Sequence, residues 1–215
     1  MRLPKVTVVD YGTGNLYSVG RALEYCGASV ELASSGAQIN NAAALLLPGV
    51  GAFADGMKGL RERGLADAIV QYAKTKRPLL GICLGMQMLA SCSEEFGMHS
   101  GLGLIPGRVI AVPSVSTEGL VQKVPHVGWS DLRIESYSNW PISPLRELPP
   151  TASVYLVHSY HFVADYKEHL LATFDYGGHR LAAAVRKENI LGFQFHPEKS
   201  GVVGLTILRN FLLGI

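Results

Sequence analysis

Residues 78–87 of the chain are Pro78-Leu-Leu-Gly-Ile-Cys83-Leu-Gly-Met-Gln87, an apolar run that ends in a cysteine and passes directly into a helical pattern. Gly81 and Gly85 flank the cysteine, as a strained strand-to-helix turn requires, because only small residues fit there. Such a turn places the sulfur at a helix N-terminus, where partial positive charge favours the reactive thiolate. A buried structural cysteine is the alternative, since free cysteine is often buried. The pattern favours Cys83 as a nucleophile.

The first half of the chain alternates between strand and helix patterns. Apolar runs predict strands at residues 5–10, 29–34 and 42–47 and directly before Cys83. Helical spacing predicts helices at about 16–25, 54–74 and 84–91, the second of them interrupted near Gly64. This alternation is typical of a parallel sheet that is covered by helices on both faces.

The second half is rich in short strands separated by turn residues. We predict strands at 108–113, 128–134, 153–158, 170–174, 180–185 and 189–196, followed by an amphipathic helix at about 202–213. Pro141, Pro144, Pro149 and Pro150 indicate a loop rather than a domain linker, because the core pattern continues beyond them. The predicted fold class is α/β: a mostly parallel sheet flanked by helices, with an antiparallel β annex, in one domain of residues 1–215.

Composition and charge exclude several classes of protein. Hydrophobic residues make up 48% of the chain and charged residues 17%, which supports a large core and an apolar surface covered by a partner. The net charge of +2 comes from scattered basic residues, which disfavours nucleic-acid binding, and no apolar run is long enough for a membrane span. Three cysteines without a CxxC pair, and a start at Met1 that leads straight into a strand, predict a cytoplasmic protein without a signal peptide.

Seven histidines compete for the role of proton carrier, which a cysteine nucleophile needs. His196 stands out because it closes an apolar strand and is followed by Pro197 and Glu198. Alternate residues of a strand face the same side, so we expect Glu198 to lie beside His196 and to orient its imidazole toward Cys83. A solvated surface His-Pro-Glu is the alternative for the pair alone. Together with the Cys83 turn, the pattern predicts a Cys–His–Glu triad.

Acyl transfer also needs amide donors for the oxyanion that forms during the reaction. Pro48-Gly-Val-Gly51 follows the apolar run 42–47 and therefore lies at the carboxyl end of a strand, the edge where parallel α/β sheets bind ligands. We expect the amides of Gly49, Val50 and Gly51 to serve as donors, together with the amide of Leu84. Without Cys83, the glycines would indicate only an ordinary strand-to-helix turn.

Other patterns are weaker. Gly12-Thr-Gly14 lacks the third glycine and the acidic residue of a dinucleotide site. His158-Ser-Tyr-His161 could suggest a metal, but a spacing of three on one strand places the two rings on opposite faces, and no further ligand cluster is present. Cys26 and Cys92 are interpreted as packing residues. We therefore predict neither a metal nor a cofactor.

Three of these segments together resemble the class I glutamine amidotransferases. They are Pro48-Gly-Val-Gly51, Gly81-Ile-Cys83-Leu-Gly-Met-Gln87 and Phe195-His-Pro-Glu-Lys-Ser200, in the family's order across nearly the whole chain. The resemblance implies the flavodoxin-like fold of that family and the hydrolysis of L-glutamine. Cys83 would form a γ-glutamyl thioester, His196 would move protons and Glu198 would orient His196. Ammonia would leave first, and water would then release glutamate.

Four further segments resemble one branch of that family, the glutaminase subunits of imidazole glycerol phosphate synthases. They are Asp10-Tyr-Gly-Thr-Gly-Asn15-Leu, Ser93-Glu-Glu95-Phe-Gly, Pro125-His-Val-Gly-Trp129 and Tyr155-Leu-Val-His158-Ser-Tyr160. By this resemblance Gln87, Glu95 and the backbone of Ser159 and Tyr160 would hold the amino-acid end of glutamine. Asn15, Trp129, Tyr155 and Lys199 would face the partner. The implied partner is a cyclase subunit, a β/α barrel that forms a heterodimer with this chain and uses the ammonia in histidine biosynthesis.

Two positions depart from the family's usual pattern. Ser130 stands where asparagine usually follows Gly-Trp, and Gly-Val-Val-Gly follows Ser200 where a second small polar residue is more usual. Neither departure affects the predicted triad, but both leave the partner open. A paralogue that feeds ammonia to a surface-sugar synthase is one alternative, and a pyridoxal-phosphate synthase glutaminase is a less fitting one. A non-catalytic subunit of the same fold is the third, which the intact triad disfavours.

Overall fold

The computed structural model describes residues 3–134 and 143–215, so Met1 and Pro141 lie outside the described residues. The helices are α1 (Leu16–Tyr25), α2 (Gly36–Asn40), α3 (Phe53–Glu62), α4 (Leu65–Ala73), α5 (Leu84–Met88) and α6 (Gly201–Leu212). The strands are β1 (Lys5–Val9), β2 (Ser29–Ala33), β3 (Ala44–Leu47), β4 (Leu79–Ile82), β5 (Cys92–Ser93), β6 (His99–Ser100), β7 (Gly107–Ala111), β8 (His126–Asp131), β9 (Arg133–Ile134), β10 (Ser153–His158), β11 (Tyr160–Ala164), β12 (Leu170–Tyr176), β13 (His179–Lys187) and β14 (Ile190–Phe193). Short 3-10 helices lie at Lys167–His169 and Pro197–Lys199.

The central sheet has eight strands in the order β2-β1-β3-β4-β14-β13-β12-β9. β2, β1, β3, β4 and β14 pair in parallel, and β13, β12 and β9 continue the sheet in antiparallel pairing. All residues of β3, β4 and β14 are buried, which explains their continuous apolar sequences. The predicted α/β class with a mostly parallel sheet is confirmed.

Helices pack on both faces of the central sheet. On one face α1 and α6 contribute Val19, Leu23, Ile207 and Leu208 to a core that also contains β10. On the other face α2, α3, α4 and α5 form a second core around β3 and β4, and its members include Ile39, Phe53, Ile69, Tyr72 and Met86. Cys83 lies at the carboxyl end of β4, at the centre of this arrangement.

The antiparallel part is distributed over three sheets rather than collected in one annex. β12 and β13 join the central sheet, β8 and β10 form a separate two-stranded ribbon, and β11 pairs with β7 in a four-stranded sheet with β5 and β6. In that last sheet β5 and β7 are parallel. The sequence could not predict these pairings, because local periodicity does not specify which distant strands meet.

Most predicted elements are present, with different ends. The helix at 16–25 and the strand at 153–158 are confirmed at both ends, and the region 54–74 is divided at Gly64, whose φ of 66° is left-handed. Several elements are shorter than predicted; the largest differences are the helix after Cys83, which ends at Met88, and the strand expected at 189–196, which ends at Phe193. β5, β6 and β11 were not predicted. Whether residues 1–215 form one domain stays a prediction.

Candidate active site

Cys83 occupies a strained turn between β4 and α5. Its backbone dihedral angles, φ 55° and ψ −113°, lie outside the regions that residues other than glycine prefer. Strain of this kind persists only where the surroundings enforce it, and it is concentrated at functional sites. The backbone N–H of Cys83 donates to the Phe193 carbonyl at 2.7 Å, and its carbonyl accepts from the Gln87 N–H at 3.2 Å. Both neighbouring elements thus hold the turn in place.

Neither of the glycines that flank Cys83, Gly81 and Gly85, has room for a side chain. A Cβ at Gly81 would lie 2.7 Å from the Gly85 carbonyl oxygen, and a Cβ at Gly85 would lie 1.9 Å from the Leu47 carbonyl oxygen. These contacts are with backbone, which cannot move aside as a flexible side chain would. The turn can therefore form only because both positions are glycine.

We expect Gly85→Ala to lower the free energy of unfolding by at least about 3 kcal/mol, because its methyl group overlaps the β3 backbone. Gly20→Ala is the matched control, since Gly20 lies within α1 and its Cβ would meet only Val30 Cγ1 at 3.8 Å. That control is expected to be neutral or to stabilise by up to about 1 kcal/mol. Urea unfolding followed by circular dichroism measures both. Equal stability of the two variants would contradict the packing described for the turn.

His196 and Glu198 form a buried pair beside the Cys83 sulfur. The Nδ1 of His196 lies 2.8 Å from Glu198 Oε1, and the two side chains are 4% and 1% exposed. The imidazole also interacts with the Cys83 side chain. The expected reason for the His196–Glu198 contact was wrong: His196 lies beyond β14, and Glu198 is on the 3-10 helix Pro197–Lys199, whose tight turn brings it back to the ring.

The electrostatic surroundings favour a protonated His196. Burial alone would lower its pKa, but the hydrogen bonds to Cys83 and Glu198 and their negative charge outweigh burial and raise the pKa to about 9. An imidazolium beside the sulfur stabilises negative charge on that sulfur, which is the state that attacks carbon. α5 has only five residues, so its end contributes less positive charge than a long helix would, and His196 is the main partner of the sulfur.

Ser200, for which the sequence predicted no role, fixes the backbone of His196. The Ser200 hydroxyl donates to the His196 carbonyl at 2.7 Å and accepts from the Tyr155 N–H at 3.0 Å. The His196 N–H in turn donates to the Tyr155 carbonyl at 3.0 Å. The backbone of His196 is therefore fixed to β10.

The loop at Pro48-Gly-Val-Gly51 lies at the carboxyl end of β3, as expected. A Cβ at Gly49 would lie 2.6 Å from the Tyr11 hydroxyl and 2.9 Å from Leu84 Cβ, so this position also requires glycine. Tyr11 donates its O–H to the Pro48 carbonyl at 2.9 Å, and burial raises its pKa to about 12, which keeps the hydroxyl protonated. The oxyanion role of Gly49, Val50, Gly51 and Leu84 stays a prediction.

A cavity of about 240 Å³ opens beside the sulfur. Most of the predicted oxyanion and substrate residues meet there with Cys83 and His196, but Gly49 is not among the lining residues. The lining residues are Val50, Gly51, Cys83, Leu84, Gln87, Glu95, Val157, His158, Ser159, Tyr160 and His196. The cavity is smaller than typical drug-sized pockets, so it suits a ligand of amino-acid size.

The predicted substrate residues show how such a ligand could be held. The Gln87 side chain donates from Nε2 to the Tyr160 carbonyl at 3.0 Å and to Gln194 Oε1 at 3.1 Å. These bonds engage its donors, so Gln87 offers its carbonyl oxygen to a ligand. Glu95 Oε2 accepts the Phe53 N–H at 2.6 Å, at the start of α3. Both side chains thus present acceptors, which match an ammonium group.

Gln194 is a further side chain of the site that the sequence analysis missed. It is fully buried, and its Nε2 lies 3.9 Å from the Cys83 sulfur. The available signal was a glutamine between Phe193 and Phe195 in an apolar run, where a polar side chain needs a buried partner.

The four residues expected at a partner surface lie in different settings. Trp129 is 57% exposed, and its ring packs edge-on against Tyr155 with centroids 6.0 Å apart. Lys199 is exposed on the 3-10 helix Pro197–Lys199, next to Glu198. Asn15 caps α1, and its Oδ1 accepts from the Ser18 N–H at 3.2 Å. Their role toward a partner stays a prediction.

In the part that the structure describes, potential metal ligands do not cluster and no helix could span a membrane. Within residues 3–134 and 143–215, no group of three or more potential metal ligands comes together. His158 and His161 lie on successive strands, β10 and β11, rather than on one strand as the sequence analysis assumed. No helix within the same two ranges is both long enough and apolar enough to cross a membrane.

We expect stability to fall on acidification below neutral pH. Burial lowers the pKa of His158 and of His161 to about 4, whereas an unfolded histidine has a pKa of about 6.5. Between those values the unfolded chain binds more protons than the folded chain. The free energy of unfolding therefore decreases as the pH is lowered, and each histidine makes it about 2 kcal/mol smaller at pH 5 than at pH 7. Urea unfolding at pH 7 and pH 5 measures the loss, and His161→Leu should reduce it. An unchanged loss in that variant would contradict this assignment.

Comparison with known proteins agrees with the geometry. The family described as glutamine amidotransferase class-I matches residues 7–215. Subunit HisH 1 of imidazole glycerol phosphate synthase from Legionella pneumophila (strain Lens) is 48% identical over 211 residues, which cover 98% of this chain and 99% of that protein. Subunit HisH from Geobacillus thermodenitrificans (strain NG80-2) is 45% identical over 207 residues, covering 96% and 94%.

Solved structures share the fold at low sequence identity. The structure of PurLQS from Thermotoga maritima has a TM-score of 0.76 at 21% identity and covers 99% of both chains. A crystal structure of glutamine amidotransferase has a TM-score of 0.68 at 22% identity and covers 97% of this chain and 99% of that chain. These likenesses establish the fold alone. The family match and the HisH relatives show that the chain belongs to the class I glutamine amidotransferases and, within them, to the HisH family.

Proposed function

We propose that the chain is the glutaminase subunit of an imidazole glycerol phosphate synthase and that it hydrolyses L-glutamine on Cys83. The observation that carries the proposal is the buried Cys83–His196–Glu198 arrangement beside a cavity of amino-acid size. The HisH relatives support the same function. A non-catalytic subunit would have no use for a strained cysteine held beside a buried histidine–carboxylate pair.

The first half of the proposed reaction forms a thioester and releases ammonia. The Cys83 sulfur attacks the side-chain carboxamide carbon of glutamine, and the carbonyl oxygen takes up the negative charge. Amides of Leu84 and of the loop Gly49–Gly51 would stabilise that oxyanion. His196 then gives its proton to the leaving nitrogen, the C–N bond breaks, and ammonia departs. Glu198 holds the ring through Nδ1, so that Nε2 faces the sulfur and the leaving group.

The second half returns the enzyme to its starting state. Neutral His196 takes a proton from water, and the resulting hydroxide equivalent attacks the thioester carbon. The C–S bond breaks, glutamate leaves, and the sulfur again carries a negative charge beside the imidazolium. The net change is the conversion of glutamine and water into glutamate and ammonia, with no cofactor.

We assign the amino-acid end of glutamine to the part of the cavity that Gln87, Glu95, Ser159 and Tyr160 line. The carboxylate of Glu95 and the carbonyl oxygen of Gln87 are acceptors for the α-ammonium group. The backbone at Ser159 and Tyr160 closes the cavity beside them. The Ser159 carbonyl already accepts a hydrogen bond from the Val112 N–H at 2.8 Å. The Tyr160 carbonyl accepts from the Gln87 side chain at 3.0 Å and from the His158 ring at 2.9 Å.

The proposed partner, a cyclase subunit with a β/α barrel, would cover the ribbon of β8 and β10. Register pairs Val127 with Val157 and Trp129 with Tyr155, so these four side chains share one face of the ribbon. Val127 and Trp129 are about half exposed, and Val157 lines the cavity. The apolar face is thus continuous with the site where ammonia forms. Ammonia in neutral water is mostly protonated and unreactive, so a dry interface here would preserve it as a nucleophile.

The proposed cyclase would use the ammonia to make imidazole glycerol phosphate and aminoimidazole carboxamide ribonucleotide in histidine biosynthesis. The HisH relatives favour this partner over a surface-sugar synthase. Ser130, the departure from the family pattern within β8, has a hydrogen-bond partner in the same strand, because its hydroxyl lies 3.1 Å from Nε2 of buried His126. A cytoplasmic location is part of the proposal and is supported by the three free cysteines.

Glutamate production with and without the cyclase subunit tests the proposed function. We expect the isolated chain to be slow and the complex to be at least about tenfold faster, because the amides of Gly49–Gly51 must reorient when the partner binds. Trp129→Ala should abolish this stimulation. Tyr25→Ala is the control, because Tyr25 is equally aromatic and 71% exposed but lies at the far end of α1. Equal rates with and without the cyclase would refute the subunit role.

A further inference from the structure

Gln194 is a buried side chain for which the triad chemistry gives no role. It follows β14 directly, and its backbone N–H donates to the Ala183 carbonyl at 2.9 Å, which extends the pairing with β13. The neighbouring Phe193 and Phe195 rings stack with centroids 4.9 Å apart. The Gln194 side chain is fully buried, and burying an amide costs free energy unless its polar atoms have hydrogen-bond partners.

The hydrogen-bond partners of Gln194 fix which way its amide points. The Tyr160 carbonyl can only accept, so the Gln87 side chain must turn its NH2 group toward Tyr160, and this same group contacts Gln194. Gln194 must therefore offer its oxygen to Gln87. Its own NH2 group is then directed at the Cys83 sulfur, 3.9 Å away. The direction of the whole chain of bonds is set by one backbone carbonyl.

We infer that Gln194 is a positioning residue that donates an N–H to the Cys83 sulfur and holds it in the rotamer that faces the cavity. The inference rests on the proposed glutaminase function and adds a second donor to the sulfur besides His196. A donor at this place stabilises negative charge on the sulfur before attack and again when the thioester breaks. Because Gln194 also bonds Gln87, it connects the sulfur to the residue assigned to the amino-acid end of the substrate.

Other charged or titratable groups near the sulfur come from several elements. His196 interacts with the sulfur and is bonded to Glu198, and Tyr11, in the turn after β1, interacts electrostatically with Cys83. Glu95, His158 and Tyr160 line the same cavity as the sulfur. All of them remain in a Gln194 variant. A changed pH dependence of sulfur reactivity in such a variant would therefore report the loss of the Gln194 donor.

Alkylation of Cys83 by iodoacetamide, measured by mass spectrometry from pH 5 to pH 9, tests the inference in the full chain. Gln194→Met keeps the size of the side chain and removes the donor. Losing a hydrogen bond to a charged group is expected to move the midpoint of the pH profile upward by about one unit, which slows alkylation by about tenfold at pH values well below the midpoint of the unmodified chain. This readout needs neither glutamine nor a partner, so it stands even if the proposed function fails.

Steady-state kinetics separate a role toward the sulfur from a role toward the substrate. With glutamine, Gln194→Met should lower kcat by about tenfold and change KM by less than about threefold. Gln87→Met should instead raise KM by at least about tenfold and slow alkylation less than Gln194→Met does. Gln71→Met, on the exposed face of α4, should change neither measurement.

Two outcomes would overturn the inference. One is an unchanged alkylation profile in folded Gln194→Met. The other is a rise in KM that matches the rise in Gln87→Met without a loss of alkylation rate, which would show that Gln194 only supports Gln87. Thermal unfolding monitors folding. If Gln194→Met does not fold, Gln194→Asn provides the same test, because its amide is one methylene shorter and cannot reach the sulfur.

Discussion

Cys83→Ala is expected to lower the rate of glutamine hydrolysis by at least about 10⁴-fold, because no other group can form the acyl intermediate. The loss should appear in the isolated chain and in the complex with the cyclase. Glutamine should still bind, since Gln87 and Glu95 line the cavity independently of the sulfur. Coupled measurement of glutamate gives the rate, and calorimetry gives the affinity.

Cys26→Ala and Cys92→Ala are the matched controls for this result. Both cysteines are free and partly buried, and neither lines the cavity. The Cys26 thiol donates weakly to the Leu205 carbonyl, at 3.5 Å. We expect both variants to keep hydrolysis within about twofold of the unmodified chain, because surface and edge substitutions rarely affect a distant site. Substantial hydrolysis by Cys83→Ala would contradict the nucleophile assignment directly.

Glu198→Gln is expected to lower glutamine hydrolysis by about 10³-fold while leaving the fold intact. The carboxylate now accepts from Nδ1 at 2.8 Å and fixes the ring so that Nε2 serves the sulfur. An amide can present its NH2 group to Nδ1 instead, which puts the ring proton on the wrong nitrogen. The carboxylate is also one of the groups that raise the pKa of His196 to about 9, so the variant should have a lower His196 pKa.

The lowered pKa gives a second readout of Glu198→Gln. In the unmodified chain, a His196 pKa raised from 6.5 to about 9 contributes stability that is complete below about pH 6.5 and is lost as pH rises toward 9. Glu198→Gln should flatten this alkaline loss in urea unfolding experiments. Glu62→Gln, which changes an exposed glutamate 3.8 Å from Lys58, should leave the loss and the activity unchanged. Full activity in Glu198→Gln would remove Glu198 from the proposed triad.

The sequence was sufficient for those parts of the molecule that local chemistry determines. The turn at Cys83 could be predicted because only glycine fits on either side of it. The helix at 16–25 and the strand at 153–158 have clear periodicity, and the structure reproduces their bounds. The loop at Pro48-Gly-Val-Gly51 lies where the end of an apolar run placed it.

Features that depend on contacts between distant segments could not be predicted. β5 and β6 have two residues each, too few for any period. The joining of β12 and β13 to the central sheet depends on pairing with β14, which local patterns do not specify. The contact of His196 with Glu198 was expected, but it arises from a 3-10 turn rather than from a strand. Ser200 and Gln194 act through hydrogen bonds to other elements, so their residue types alone gave little indication that they belong to the site.

Mapping the reaction of the chain with a glutamine-like chloroketone tests the central claim, that Cys83 is an activated sulfur facing a glutamine site. We predict one adduct, on the peptide containing Cys83, which excess glutamine prevents and which His196→Ala slows strongly at neutral pH. Modification of Cys26 or Cys92 instead, or an adduct on Cys83 that glutamine does not prevent, would contradict the account.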